Sequence, residues 1–349
     1  MGETKERYQV VQWATGNIGT KSLRDVIEHP QMDLVGLYVS SPDKVGRDAG
    51  ELAGLDRATG VVATAAIADV VALAPDCVLY MRQGCDIDEV CTLLEAGIDI
   101  VATTGEFHHP GSMDPAVRER VERACRQGES SIHSTGSSPG FITEAVPLVL
   151  TSIQRRLDHL QIDEFADLSE RNSPNLLFEV MGFGKAPDTF DERRWAHGAH
   201  AFGPSLRALA DAVGLPLDSV ESSGAVARAT DDVEIAAGPI AAGAVAAQRM
   251  AVTGLRDGVP LIGFSAHWYC TTAIDADWDL RDTGWRVVVD GDCPLDVELR
   301  FAIPLERMAA TTPGYTANRA VNSVPYVCGA EPGIRTTVDL PQVIADLGR

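Results

Sequence analysis

Two short stretches hold the residues best suited to chemistry. The apolar run Ile98–Thr103 opens into Thr104-Gly105-Glu106-Phe107-His108-His109-Pro110. In a parallel sheet, ligands bind outside the carboxyl ends of the strands. Glu106 and the two histidines are the first ionisable groups after this strand. A carboxylate there can hold ammonia or a protonated imine beside a hydride donor, and move protons while a carbinolamine loses water. Its plainer alternative role is to cap the next turn. His108 and His109 read as turn residues, because adjacent side chains on an extended chain point apart. No Asp, Glu or His spacing nearby completes a metal site, and His197-Gly-Ala-His200 has no companion motif. No metal is expected.

The second stretch is Ala14-Thr15-Gly16-Asn17-Ile18-Gly19, a G-x-G-x-x-G pattern with alanine in first place. Gly16 would let the backbone approach a pyrophosphate, Gly19 would let helix pack closely on strand, and Thr15, Asn17 and Ile18 complete the turn. A strand precedes it, a helix follows, and a second strand lies beyond, which is the context the pattern needs. NAD enzymes usually carry an acid at the end of that second strand. Here stand Ser40-Ser41-Pro42-Asp43-Lys44, with Arg47 nearby. Hydroxyls and two cations suit a 2′-phosphate, so NADP(H) is favoured. Asp43 keeps NAD open, and Lys44 and Arg47 as a solvated face remain the alternative.

A further loop, Ser134-Thr135-Gly136-Ser137-Ser138-Pro139-Gly140-Phe141, follows another strand. Its small residues permit close backbone approach, and Phe141 is placed to wall a nicotinamide pocket, unless the loop is an ordinary turn. In the second half, Glu170, Arg171, Asn172, His267 and Tyr269 are polar groups able to face a substrate. Phe141, Asn172 and His267 are the substrate-binding candidates. His267 and Tyr269 share one strand face, which serves equally as a dimer contact.

These residues need elements to hold them. Up to about residue 140, short apolar strands alternate with helices: Tyr8–Trp13, Gly19–Glu28, Asp33–Val39, Val61–Thr64, Ala66–Leu73, Cys77–Met81, Ile87–Ala96, Ile98–Thr103, Pro115–Gln127 and Ser130–Thr135. That alternation means βαβ units and a parallel sheet. A helix over Ile142–Arg156 leads to a different texture. Strands are expected at Leu160–Leu168, Ser219–Ala229, Ala244–Leu255, Val259–Cys270, Gly284–Val289 and Leu295–Ala302, with helix around Ser205–Val213. Asp257-Gly258 and Asp290-Gly291 predict hairpin turns. The fold class is an α/β Rossmann N-terminal domain plus an α+β C-terminal domain with a largely antiparallel sheet. Expected boundaries are 1–145, 146–312 and a segment 313–349 returning toward the first domain, with helix over Asn318–Gly329.

The 349 residues carry 29 basic and 50 acidic side chains, a net charge of −21. That argues against nucleic acid or an anionic membrane as partner. The seven cysteines include no C-x-x-C pair, so a cytoplasmic chain without a disulfide framework is expected. Met1–Arg7 shows no signal-peptide pattern, and Ile235–Ala247 is too interrupted to span a membrane. The apolar strands Gly284–Val289 and Leu295–Ala302 leave a face to cover, and a homodimer would cover it.

The segments VVQWATGNIGTKSLRDVIEHP, GLYVSSPDKVGRDAGELAG, CVLYM, ATTGEF, STGSSPGFITEAVPLVLT, LFEVMGFG and ANRAVNSVPYVCGAEPGI together resemble one group. It is the actinobacterial branch with a dihydrodipicolinate-reductase-like N-terminal domain, related to 2,4-diaminopentanoate dehydrogenase and the native amine dehydrogenases. The resemblance implies NAD(P)H-dependent reductive amination of a ketone or aldehyde with ammonia, and the reverse deamination. It implies that Glu106 is the catalytic carboxylate and that Thr103-Thr104-Gly105 contacts the nicotinamide. Dihydrodipicolinate reductases themselves carry a His-His-x-His-Lys run and a Pro-Ser-Gly-Thr motif in the second domain. Asp167–Pro174 has neither. A plain carbonyl or imine reductase, or a non-catalytic NADP-binding sensor, remains the alternative.

Overall fold

The computed structural model describes residues 7–190 and 192–348, with side chains omitted for 192–194. Met1–Glu6, where no signal pattern was read, lies outside the described residues. The chain divides into two compact units, Met1–Phe141 with Thr312–Arg349, and Ile142–Thr311.

The first unit begins with β1 (Tyr8–Trp13), α1 (Asn17–Glu28), β2 (Met32–Tyr38), α2 (Ala49–Leu52), β3 (Ala63–Thr64), α3 (Ile67–Ala72), β4 (Cys77–Tyr80), α4 (Ile87–Glu95), β5 (Asp99–Ala102), α5 (Pro115–Gly128) and β6 (Ser131–Ser134). Acid caps start three of these helices: Asp48 accepts from the amide of Gly50, Asp86 from those of Asp88 and Glu89, and Asp114 from those of Ala116 and Val117. Each oxygen satisfies amides that have no partner inside the helix.

The second unit holds α6 (Val146–Thr151), β7 (Leu157–Asp167), α7 (Glu192–Ala212), β8 (Ser219–Arg228), β9 (Val233–Ile235), β10 (Gly238–Ile240), β11 (Val245–Arg256), β12 (Val259–Tyr269), β13 (Gly284–Gly291), β14 (Leu295–Arg300) and α8 (Leu305–Thr311). The chain then re-enters the first unit as α9 (Pro313–Cys328) and β15 (Gly333–Arg335).

The first sheet runs β15-β6-β5-β4-β1-β2-β3, with every pairing parallel. Strand order reverses between β1 and β4, which opens a crevice at their carboxyl ends. One face packs Val11, Val78 and Ile100 with Val90, Leu94 and Val121 of the α4–α5 layer. On the other, Val10, Leu79 and Val101 meet Val26 of α1 and Ala320, Val321, Val324 and Val327 of α9.

The second sheet, β14-β13-β7-β12-β11-β8, is antiparallel except where β12 pairs with β7. The Asp257-Gly258 turn forms as expected, with φ of +52° and +73° joining Arg256 to Val259. The Asp290-Gly291 turn does not. Both residues remain in β13, opposite His159 and Leu157 of β7, so pairing with a longer β7 carries the strand past them and the loop falls at 292–294. The expected helix over Ile142–Arg156 is also shorter. Ser137–Ala145 is irregular around Pro139 and Gly140, and the helix closes where Thr151 and Ser152 donate their hydroxyls back to the Pro147 and Val149 carbonyls. Conversely, α7 runs well beyond Ser205–Val213, straight through Pro204.

Candidate functional site

The turn after β1 is tightly held. Ala14 sits at φ +72°, with its amide on the Tyr38 carbonyl at 2.8 Å. Gly16 ends the extended segment, and no side chain caps α1 behind it. The first amides of α1 and the positive end of its dipole therefore remain available to an anion. A side-chain carbon added at Gly16 would meet nothing within 4 Å. At Gly19 it would overlap the Ala14 carbonyl, so this position admits only glycine. Thr15, Gly16, Asn17, Ile18 and Gly19 thus lie together on one turn. Lys44 joins them, its Nζ donating to Thr15 O and Oγ1, each at 3.0 Å. Of the other residues after β2, Ser40 is exposed, Ser41 is half-buried, and Arg47 forms an exposed ion pair with Glu51 at 2.8 Å.

Beneath the turn is a residue that sequence reading missed. Gln12, wholly buried, donates Nε2 to Ala14 O at 3.0 Å and Trp13 O at 3.2 Å, while its Oε1 accepts from Ser22 Oγ at 2.7 Å. The available signal was an amide inside the otherwise apolar end of YQVVQW. Trp13 and Tyr38 stack beside it, ring centroids 3.7 Å apart.

The ends of β5 and β6 look different. Thr103 donates its amide to the Tyr80 carbonyl, and the Thr104 carbonyl accepts from Ser134 Oγ at 2.8 Å. Beyond them, Thr104 Oγ1, Glu106 Oε2, Thr135 Oγ1 and Ser138 Oγ are buried oxygens without a hydrogen-bond partner. They make up half of the eight such side-chain atoms among the described residues. An unpaired buried polar atom costs about 1–3 kcal/mol, so a run of them at one pair of strand ends suits a bound ligand. Burial first, then the negative charge of Glu106, pushes the Cys85 thiol up to about 12. Cys85 is therefore a neutral wall rather than a nucleophile. His108 is buried, and His109 Nδ1 lies 2.6 Å from Ser112 Oγ. Thr135 and Ser138 were visible in the sequence only as members of a loop of small residues.

Phe141 is half-buried at the end of that loop, its amide on the Gly136 carbonyl. In the second unit, Asn172 is exposed. His267 is buried, stacks on Phe165 at 4.7 Å, lies 3.5 Å from Asp163 through Nε2, and leaves Nδ1 without a partner. Tyr269 spends its hydroxyl on the Arg281 carbonyl at 2.6 Å. Burial lowers the pKa of the Arg171 guanidinium, whose Nε has no partner. The helical His197 and His200 rings are 6.4 Å apart. No group of three or more His, Cys, Asp and Glu side chains among the described residues is placed to hold a metal ion.

The open cradle at Gly16, the uncapped helix and the unpaired oxygens at the far strand ends all fit a nicotinamide dinucleotide spanning the switch point of the sheet. Comparison with known proteins gives the family and the fold. A family model for the 2,4-diaminopentanoate dehydrogenase C-terminal domain matches residues 141–348. An amine dehydrogenase from Streptomyces virginiae is 30% identical over 355 residues, covering 97% of this chain and 98% of that protein. The 2,4-diaminopentanoate dehydrogenase of Acetoanaerobium sticklandii is 24% identical across 82% of this chain and 78% of its own length. Among solved structures, an amine dehydrogenase from Mycobacterium smegmatis superposes with a TM-score of 0.76 at 20% identity, over 98% of both chains, and shares the fold.

Proposed function

The chain belongs to the family of the amine dehydrogenases and 2,4-diaminopentanoate dehydrogenase and is an oxidoreductase, and on that premise we propose that it catalyses NAD(P)H-dependent reductive amination of a ketone or aldehyde, and the reverse deamination. The observation that carries this reading is Glu106 Oε2, a buried carboxylate oxygen left without a partner after β5. Bound nicotinamide would supply the hydride.

The protein's own residues do the rest. Glu106 takes a proton from ammonium, which frees ammonia to add to the carbonyl carbon. It returns that proton to the carbinolamine hydroxyl, which leaves as water. The regenerated carboxylate then faces the iminium and stabilises its charge. Thr103, Thr104 and Gly105 would line the nicotinamide. The amides of Gly16, Asn17 and Ile18, the uncapped start of α1, would hold the pyrophosphate.

The reading extends to cofactor choice and assembly. Ser40, Ser41 and Lys44, with no acid at the end of β2, favour NADP(H), although Arg47 is engaged by Glu51. Leu295, Val297 and Leu299 are only half-buried on edge strand β14, and a homodimer would cover them. Phe141, Asn172 and His267 are the proposed substrate-binding residues. No helix among the described residues is long and apolar enough to cross a membrane; the proposed setting is the cytoplasm.

The test is a spectrophotometric screen of ketones and aldehydes with NADH and NADPH separately, with and without ammonium. Amine formed only with ammonium is the expected product. Alcohol formed equally well without it would make the protein a carbonyl reductase and overturn the proposal.

A further inference from the structure

Glycine normally holds the first place of a dinucleotide turn because the chain must bend sharply there. This chain has Ala14 at φ +72°. A left-handed conformation costs an L-residue about 1–2 kcal/mol, and it persists only where the surroundings over-determine it. Here they do. The Ala14 amide is fixed on the Tyr38 carbonyl, and the Ala14 carbonyl is fixed on Gln12 Nε2 at 3.0 Å. Ser22 Oγ donates to Gln12 Oε1 at 2.7 Å. An amide oxygen so occupied must turn its NH2 end toward the carbonyls of Trp13 and Ala14. Gly19 closes the space, since a side-chain carbon there would meet Ala14 O and lie 3.2 Å from Gln12 Nε2.

We propose that Gln12 is a positioning residue for the dinucleotide: its carboxamide, oriented by Ser22, holds the Ala14 carbonyl and lets alanine fill the left-handed place that glycine otherwise takes. Gln12 lies under the turn and acts through Ala14 on Thr15 and Gly16, whose backbone faces the pyrophosphate. The inference rests on the dinucleotide reading given under Proposed function.

Fluorescence titration gives the Kd for NADPH and for NADH separately, with no need for turnover. Gln12→Leu keeps the core filled but removes both donated hydrogen bonds, and should raise Kd about tenfold. Adding Ala14→Gly to that variant should bring Kd back to within about threefold of wild type, because glycine takes positive φ freely. Ala14→Gly alone should bind no more weakly than wild type. A residue that merely filled the core would gain nothing from the second change, so the recovery identifies the role. Wild-type affinity in Gln12→Leu overturns the proposal, and so does an equally weak Gln12→Leu/Ala14→Gly. If Gln12→Leu does not fold, Ser22→Ala decides. Weakened binding that Ala14→Gly restores supports the proposal; unchanged binding, or weakening that Ala14→Gly leaves in place, overturns it. Wild-type protein that binds neither dinucleotide removes the dinucleotide reading and this inference together. Normal wild-type binding with an unaffected Gln12→Leu removes this inference alone.

Discussion

The two ends of the proposed cofactor path are built in opposite ways, although both sit at carboxyl ends of the same parallel sheet. At the β1 turn the side chains beneath the open amides are largely spoken for, Trp13 Nε1 apart: Gln12, Ser22, Thr15, Thr20 and Lys44 donate to or accept from the turn and one another. At the ends of β5 and β6, Thr104, Glu106, Thr135 and Ser138 each leave a buried oxygen unpaired. A satisfied network is rigid and would give the dinucleotide a fixed seat. Unsatisfied groups keep a local cost in the empty protein that a ligand can relieve. On the proposed reading, binding would be preorganised at one end and the capacity for chemistry held in reserve at the other.

Four changes would break or sharpen that contrast. The largest effect is expected from Glu106→Gln, which keeps the shape but removes proton transfer. Its kcat should fall by about 10²–10⁴-fold, with dinucleotide Kd within about twofold of wild type on that same reasoning. Retained turnover would strip Glu106 of its role. Next comes Gly19→Ala, where the new methyl overlaps the Ala14 carbonyl. Overpacking of about 1–3 kcal/mol should weaken dinucleotide binding about ten- to a hundredfold and lower the melting temperature. Binding and melting like wild type would mean the turn is looser than described.

The third change reverses the sign of the stability effect. Thr135→Val removes an unpaired hydroxyl at a site only 2% exposed. The ligand-free protein should gain about 1 kcal/mol in urea unfolding, while kcat/KM drops about tenfold. Loss of stability would show that the hydroxyl has a partner in the fold itself. The last change touches stability alone and concerns Asp99, at the opposite end of β5 from Glu106. Burial, against the pull of hydrogen bonds from Ser131, raises its pKa from 3.8 to about 6. Between those values the folded state holds a proton that the unfolded state has lost, so stability falls as pH rises from about 4 to about 6. Relative to Asp99→Asn, the wild type should lose about 1–3 kcal/mol across that range. Parallel pH profiles for the two proteins would remove the shift.

Much of the first unit was legible because glycine spacing and apolar periodicity are local properties. Gly16, Gly19 and the order of the βαβ units needed nothing from distant parts of the chain. The Asp257-Gly258 turn was legible for the same reason. Asp290-Gly291 was not, since its outcome depended on how far β7 pairs with β13. The full length of α7 was not read: only the region around Ser205–Val213 carried a helical pattern, and Gly198, Gly203 and Pro204 before it are poor helix formers. A side-chain carbon at Gly198 would lie 2.6 Å from Met250 Sδ, so that glycine serves close helix–sheet packing. Within the site, Glu106 stood out by type and place. Gln12, Thr135 and Ser138 did not, because an amide bracing a carbonyl and a hydroxyl left unpaired are facts of three-dimensional contact. Lys44 was found as a charge, but its grip on Thr15 spans 29 residues of sequence.

The late arrival of α9 and β15 has a consequence for biogenesis. These elements complete the first sheet, yet the ribosome makes them only after the whole of Ile142–Thr311. Until then Val10, Leu79 and Val101 lack the cover of Val321 and Val324, and β6 keeps a bare edge where β15 will pair. The nascent first unit therefore waits as a half-covered sheet, the kind of intermediate that aggregates or engages chaperones, while the second unit is already free to fold.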